Sequence, residues 1–308
     1  MHLLSHRYFS VKRLHLSVGA PKVHLYGQDA MTIGPNTPHA VEDFPLGDLP
    51  PADPTLLGNA PLEVAVIEIR YTSSIAEISP EIAATFRDEL VENTGVDYPT
   101  IQPTVQQQMR IDFGTNGVSQ VAAESRGWQI ASADGALITL MPDILIMQMN
   151  RYERWSTSMK TPLAVLVESL ARLVKPSLVH RIGLRYVDRF HDSGVDSAAA
   201  WHGRIDDTLL GPVLNPDFGS SVQGAQQQVE IRIDDHHGAL LRHGPVRDDS
   251  GKCVQYLLDT DVFRHSSFTF DPEQVVISAE RLNRTALSIF QSSVTDAYLK
   301  ELREGGER

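Results

Sequence analysis

The sequence reads LEVAVIEIRY at residues 62–71 and LVHRIGLRYV at residues 178–187, two strand-like stretches that decide the fold. A second pair, QQQMRIDF at residues 106–113 and QQQVEIRID at residues 226–234, follows in the same order. The members of each pair lie about 115–120 residues apart, and a constant offset over several elements is typical of an internal duplication. The pattern therefore predicts one structural unit that occurs twice.

A long amphipathic helix is predicted at the end of each copy, near residues 161–175 and 272–302, because apolar side chains recur there at helical spacing. Between the paired strands, polar turns that contain glycine indicate meanders of antiparallel strands. We therefore expect an α+β fold built from a duplicated β-α-β-β-β-α unit, with antiparallel sheets and helices packed on one face.

The first part of the chain has a different composition from the rest. Residues 34–61 contain seven prolines, which favours extended chain over a packed core. We therefore expect residues 1–60 to form a disordered or extended leader. The first α+β half is predicted at residues 61–176 and the second at residues 177–308, and the two halves are expected to pack as one body with a groove between them.

The charge balance and the single cysteine narrow the class of protein. The chain carries 39 acidic and 27 basic side chains, a formal net charge of −12, and such a protein repels nucleic-acid phosphates. We find no apolar run close to the roughly 18–20 residues that a membrane span needs. Cys253 has no second cysteine with which to form an internal disulfide, which fits a cytoplasmic protein.

Three segments carry a resemblance to a known family: RIGLRYVDRF at residues 181–190, LLDTDVFR at residues 257–264 and FQSSVTD at residues 290–296, an FxSSxTD pattern. With them the chain resembles, over about residues 60–305, a sporadically distributed family of uncharacterised prokaryotic proteins. The resemblance implies no activity and no catalytic residues. The scattered occurrence of the family implies a toxin–antitoxin or phage-defence gene pair, and hence a protein partner.

Four acidic and imidazole side chains are candidates for acid–base or metal-assisted chemistry: Asp188, His191, Asp259 and Asp261. On a strand, Asp188 shares one face with Phe190, and His191 points the other way. Asp259 and Asp261 also share a face, where two carboxylates could bind a cation or raise each other's pKa. The alternative is that both are neutralised by arginines on a neighbouring strand.

Arginines on the same strands suggest a second kind of site. Arg181, Arg185 and Arg264 are candidate ligand-binding residues, and together with Arg189 they could form a strip that binds nucleic acid. The same side chains could instead form an internal ladder of ion pairs with the aspartates, which the sequence favours. Such a ladder would still be a suitable place for a polar ligand.

Three histidines, His236, His237 and His243, lie with Asp234 and Asp235 around one predicted hairpin. Imidazole and carboxylate are suitable zinc ligands, but adjacent residues on a strand point in opposite directions. A polar hairpin tip is therefore favoured over a metal site, and no cofactor is expected.

The sequence contains none of the common nucleotide-binding, zinc-protease or nucleophile-elbow motifs. The leading hypothesis is therefore a non-enzymatic binding protein that recognises a protein partner or a small polar ligand in the groove between the halves. The alternatives are a metal-assisted hydrolase or transferase that uses the Asp/His cluster, and a protein that binds nucleic acid through the arginine strip.

Overall fold

The computed structural model describes residues 44–114, 117–247 and 254–305, with the side chains of residues 107–123 left aside. In chain order the strands are β1 (Leu62–Thr72), β2 (Thr100–Gly114), β3 (Gly117–Ala131), β4 (Ala136–Leu140), β5 (Ile144–Met149), β6 (Leu178–Phe190), β7 (Gln227–Arg232), β8 (His237–Arg247), β9 (Val254–Arg264) and β10 (Phe268–Thr269). The helices are α1 (Pro80–Thr94), α2 (Thr161–Leu173), α3 (Asp207–Leu210), α4 (Pro272–Ser293) and α5 (Asp296–Glu304).

Within these residues all ten strands join one antiparallel sheet, in the order β2-β3-β4-β5-β1-β6-β9-β8-β7, and β10 adds to β6. The predicted α+β class is confirmed, although the strands form one large sheet rather than several. The strands β1 and β6 lie side by side at its centre, with Ile67 opposite Leu184. The strand order does not by itself establish a duplication, because β2–β5 form a four-stranded meander and β7–β9 a three-stranded one.

One face of the sheet holds the core. A row of side chains crosses the central strands on this face, and Ile67, Leu184 and Val262 in that row are at most 1% exposed. Helix α4 packs over β6 and β9, and α1 packs over β2 and β3. Residues on the opposite face, such as Glu68 and Arg185, are only partly buried. Because side chains alternate along a strand, the residue number decides which face a side chain joins.

The ends of the first helix follow from its sequence. The Ser79 side chain accepts a hydrogen bond from the Ile82 backbone N–H, and Pro80 occupies the first helical position. Helix α1 ends at Gly95, whose φ of 68° lies in the left-handed region that glycine tolerates. Both ends therefore agree with the start and stop signals in the sequence.

The predicted C-terminal helix near residues 272–302 is two helices, α4 and α5. The chain leaves helical geometry at Val294, which pairs with Ile205 in an antiparallel bridge. The Thr295 side chain then accepts a hydrogen bond from the Tyr298 backbone N–H and caps α5. The hydroxyl of Thr295 also donates to the carbonyl of Gly203, so tertiary contacts hold the break in place.

The segment from residue 44 to residue 61, called the strap below, packs along α4 and α5. Leu46 is 1% exposed, and its backbone N–H donates to the Thr285 hydroxyl at 2.9 Å. The Ser288 hydroxyl donates to the carbonyl of Pro50 at 2.7 Å, and the Asn59 backbone N–H donates to the carbonyl of Leu302.

The structure therefore differs from the predicted leader at residues 1–60 in one part, residues 44–60. Residues 1–43 lie outside the described residues, whereas residues 44–60 are extended but belong to the folded body. The physical reason is that polar side chains on α4 bond the backbone of the proline-rich chain, which then needs no partner strand.

We predict that Leu46→Ala lowers the free energy of unfolding by about 2–4 kcal/mol, the usual effect of truncating a buried leucine. Phe44→Ala is the matched control, because Phe44 is 57% exposed and its truncation should change stability by less than about 0.5 kcal/mol. Urea unfolding of both variants measures the difference. Equal unfolding midpoints for Leu46→Ala and wild type would show that the strap is not part of the stable core.

Candidate functional site

A cavity of about 440 Å³, called the junction pocket below, lies where the two predicted halves meet. Residues 152–160 and Leu62 contribute its wall from the first half, and β6 and α4 contribute the wall from the second. Residues of the strap close another side. Its polar lining includes Asp188, Glu280, Asn283, Arg284 and Lys160, and its apolar lining includes Tyr152, Trp155, Tyr186, Leu287 and Phe290.

Asp188 occupies a position on β6 that the alternation assigns to the core face. Its neighbours on that face, Tyr186 and Phe190, are both buried, and Asp188 itself is only 5% exposed. Among the residues that the structure describes, none donates a hydrogen bond to the Asp188 carboxyl group, which lines the pocket. Burial, with a smaller contribution from the carboxylate of Asp259 on the next strand, raises the pKa of Asp188 to about 8. The group is therefore mostly protonated at neutral pH.

The other buried carboxylate of the pocket, Glu280 on α4, has several partners. The Trp155 indole N–H donates to it, and the Lys160 ammonium group lies 3.2 Å from it. The guanidinium of Arg284, one helical turn further on, lies 3.5 Å away. The two carboxyl groups of the pocket therefore differ, because cations pair with Glu280 whereas no cationic side chain of the described residues pairs with Asp188.

Two tyrosines and one asparagine form a hydrogen-bonded group beside Asp188. The Tyr186 hydroxyl donates to the Asn283 side-chain oxygen at 2.8 Å, and the hydroxyls of Tyr152 and Tyr186 lie 3.5 Å apart. The two rings meet edge to face, with centroids 5.8 Å apart. Burial raises the pKa of both phenols, so this group adds neutral donors and aromatic surface to the pocket.

The four candidate catalytic residues do not converge. Asp188 faces the helices, whereas Asp259 and Asp261 alternate with the core residues of β9 and lie on the opposite face of the sheet. His191 follows the end of β6 and is exposed. The hypothesis of a hydrolase or transferase built on an Asp/His cluster therefore loses its geometric basis, because a strand cannot direct adjacent side chains to one side.

On that opposite face, Asp259 and Asp261 are paired with arginines, as the sequence favoured. The Arg185 guanidinium contacts both oxygens of Asp259 at 2.6 and 2.7 Å, and Arg242 contacts Asp259 at 3.3 Å. Arg181 bonds both oxygens of Asp261 at 3.1 Å. This internal ladder of ion pairs across neighbouring strands is confirmed.

Arg181 reaches its partners by folding over Gly183 on its own strand. A Cβ atom at Gly183 would lie 2.3 Å from the Arg181 guanidinium, so any other residue there would displace the guanidinium from this position. The guanidinium also bonds Glu68 on β1 at 3.0 Å and lies over the ring of Phe263. Arg181 therefore joins three central strands.

The proposed arginine strip does not form as a unit. Arg264 lies on the helix face rather than beside Arg181 and Arg185, and its guanidinium stacks over Phe268 at 4.3 Å. Arg189 is paired with Glu63 at 2.9 Å. Alternation along β9 separates Arg264 from the others, and carboxylates already neutralise the remaining arginines. The arrangement therefore gives no support to a nucleic-acid site.

The three candidate histidines have separate environments. His243 is 2% exposed in the core, where its Nδ1 lies 2.9 Å from the Tyr256 hydroxyl, and burial lowers its pKa. His237 lies 2.9 Å from the Asp234 carboxylate at the hairpin, whereas His236 is exposed. In the described ranges, no three His, Cys, Asp or Glu side chains are grouped so that they could hold a metal ion.

Sequence reasoning missed most of the pocket. The sequence patterns do not point to Glu280 and Asn283 as site residues. Both are polar residues of α4, three positions apart beside its apolar stripe, and both are 6% exposed. Their spacing is a usable signal for a buried polar face. Nothing in the local sequence, however, connects them with Trp155 or Lys160.

Comparison with known proteins adds no identification: no protein-family model matches the chain, and no curated protein is significantly similar to it. Every helix in the described ranges is too short or too polar to cross a lipid bilayer.

We predict that Asp188→Asn stabilises the protein increasingly as the pH rises from about 4 to about 8. In the unfolded chain the Asp188 carboxyl group has a pKa near 3.8, so in this pH range it has lost the proton that the native state still holds. The free energy of unfolding of wild type therefore falls as the pH rises and levels off above about pH 8. The asparagine variant lacks this loss. A pKa rise from 3.8 to about 8 corresponds to roughly 5–6 kcal/mol, and a buried amide without a partner costs about 1–3 kcal/mol, so the net gain near pH 8 should be about 2–5 kcal/mol.

Urea unfolding at several pH values tests this expectation. Asp88→Asn is the matched control, since Asp88 is an exposed carboxylate on α1. A difference between Asp188→Asn and wild type that stays constant with pH would contradict the protonation state assigned to Asp188.

Proposed function

We propose that this protein is a non-enzymatic binding protein that takes a small polar ligand into the junction pocket. The observation that carries the proposal is the Asp188 carboxyl group, which is 5% exposed, lines a cavity of about 440 Å³ and has no hydrogen-bond donor among the described residues. A ligand donor that enters the cavity can bond this group and supply the hydrogen bond that the described residues do not, so the pocket gains affinity from it.

The shape of the site supports a small ligand. Pockets for small molecules commonly have volumes of about 300–1,000 Å³ and combine apolar walls with a few polar groups. The junction pocket has both kinds of wall, with Trp155, Leu287 and Phe290 beside Asp188 and Asn283. A typical protein interface instead covers roughly 800 Å² on each partner. Of the two expected binding partners, a protein or a small polar ligand, we therefore assign the small polar ligand to the pocket.

Binding without catalysis is favoured by the state of the second buried carboxylate. General acid–base chemistry on one substrate commonly uses two groups of different pKa that both reach the reacting atoms. Glu280 is held by Lys160 and the Trp155 indole, so it is not available as a base beside Asp188.

The duplicated β-α-β-β-β-α unit and a cytoplasmic location belong to the same proposal. The first strand of each predicted half, β1 or β6, lies at the centre of the sheet, and each meander begins at an outer edge and ends beside that strand. A duplication of this kind accounts for a pocket at the junction of the halves.

We predict that Leu287→Trp abolishes ligand retention, because the larger side chain fills part of the pocket. Protein dialysed against a small-molecule extract of cells is recovered, and the retained compounds are compared by mass spectrometry. Val91→Trp is the matched control, since Val91 is 36% exposed on α1. Wild type and Val91→Trp should retain the same compound, and Leu287→Trp should retain less by at least about tenfold. Equal retention by all three proteins would contradict the proposed function.

A further inference from the structure

We propose that the ligand of the junction pocket carries a protonated amine and that Asp188 is its counter-ion. The inference rests on the proposed function, and it specifies which chemical class the pocket selects.

Most buried carboxylates of this protein are paired with cations. In the described ranges four carboxyl side chains are buried: Asp188, Asp259, Asp261 and Glu280. Three of them have a cationic side chain within 3.2 Å, supplied by Arg185, Arg181 and Lys160 respectively. Asp188 is the exception: it lines the pocket, and no described residue pairs with its carboxyl group. A cation supplied by the ligand would give Asp188 the pairing that the other three already have.

The walls of the pocket near Asp188 are rich in aromatic and apolar side chains. Four aromatic side chains line the pocket: Tyr152, Trp155, Tyr186 and Phe290. The faces of aromatic rings attract ammonium groups, and this attraction is stronger where water is excluded. Leu287 and Leu57 provide apolar surface for the carbon skeleton of the ligand. An amine attached to an apolar group therefore fits both kinds of wall.

An anionic ligand fits less well. A protonated Asp188 could donate a hydrogen bond to an anion, and Lys160 and Arg284 also line the pocket. Both of these cations, however, already lie against Glu280. An incoming anion would compete with Glu280 for them and would lie close to its negative charge, which disfavours anion binding.

Binding of the amine is coupled to loss of a proton. The ammonium group remains protonated, the carboxyl proton of Asp188 passes to solvent, and an ion pair forms between the nitrogen and the carboxylate. The charged and titratable groups around Asp188 are Tyr186 on β6, Asp259 on β9, Glu280 and Arg284 on α4, and Tyr152, Glu153, Arg154 and Lys160 on the segment before α2. Because the free pocket holds the Asp188 proton below about pH 8, affinity for an amine should rise about tenfold per pH unit up to about pH 8 and then level off.

The test uses three probes of one size: phenethylamine, 2-phenylethanol and phenylacetate. Titration calorimetry at about pH 6, 7 and 8 measures their affinities for wild type, for Asp188→Asn and for the control Asp88→Asn. Wild type and the control should bind phenethylamine at least about tenfold more tightly than 2-phenylethanol at pH 8, a difference of about 1.4 kcal/mol. They should also release a proton, which appears as a dependence of the binding heat on the buffer. Asp188→Asn should lose this preference and the pH dependence while still binding 2-phenylethanol.

Each other outcome overturns the inference. Tighter binding of phenylacetate than of phenethylamine shows that the pocket selects anions, and binding of all three probes with equal affinity shows no counter-ion; in both cases the pocket remains a ligand site. Absence of saturable phenethylamine binding also rejects an amine ligand. The retention experiment, in which wild type and Leu287→Trp are compared for compounds kept from the cell extract, then decides separately whether the pocket binds any small molecule. An unchanged preference in Asp188→Asn, with folding verified by its urea midpoint, would assign the selectivity to another group.

Discussion

The antiparallel pairing of β1 with β6 at the centre of the sheet determines the face on which each important side chain lies. A shift of one residue in this register would exchange the two faces of a strand. The apolar row through Ile67 and Leu184 prevents such a shift, because it would expose both side chains. The same register places Asp188 under α4 and keeps Arg185 on the opposite face.

Buried carboxyl groups are stabilised in different ways on the two faces of the sheet. On the face of the sheet opposite the core, Asp259 and Asp261 form ion pairs with Arg185 and Arg181, so each charge has a partner. On the helix face, Asp188 avoids the energetic penalty of an unpaired charge by remaining protonated at neutral pH, since its pKa is raised to about 8. The carboxylate of Asp259 contributes to this shift from the neighbouring strand, so the ladder influences the pocket through the sheet.

Local signals in the sequence predicted the elements that depend on local physics. Ser79-Pro80 starts α1, and Pro142 lies between β4 and β5, where a proline disfavours continued strand pairing. Residues 196–210 do not form one helix, since α3 covers only Asp207–Leu210 and Gly203, with a φ of 81°, precedes it. A glycine in this conformation ends regular helix, and the sequence alone does not reveal which conformation a glycine adopts.

The pocket could be predicted only in part, because it depends on contacts between distant residues. Alternation along β6 correctly placed Asp188 beside Phe190, but Glu280 accepts a hydrogen bond from Trp155, which lies 125 residues away in the chain. The hydrogen bond between the strap and α4 from the Ser288 hydroxyl to the Pro50 carbonyl joins residues 238 positions apart in the chain. Proline-rich chain of this kind has no periodicity that would indicate packing, so its place in the fold comes from tertiary structure.

Asp188 is a buried carboxyl group that no cation among the described residues neutralises, and it is held protonated at neutral pH. Carbon-detected NMR of the aspartate side-chain carboxyl groups, with the Asp188 signal assigned by its loss in Asp188→Asn, follows its titration directly. The account predicts a midpoint at about pH 8 in the ligand-free protein. A midpoint near 3.8, the ordinary value for an aspartate, would contradict it, because the carboxyl group would then already be solvated or paired.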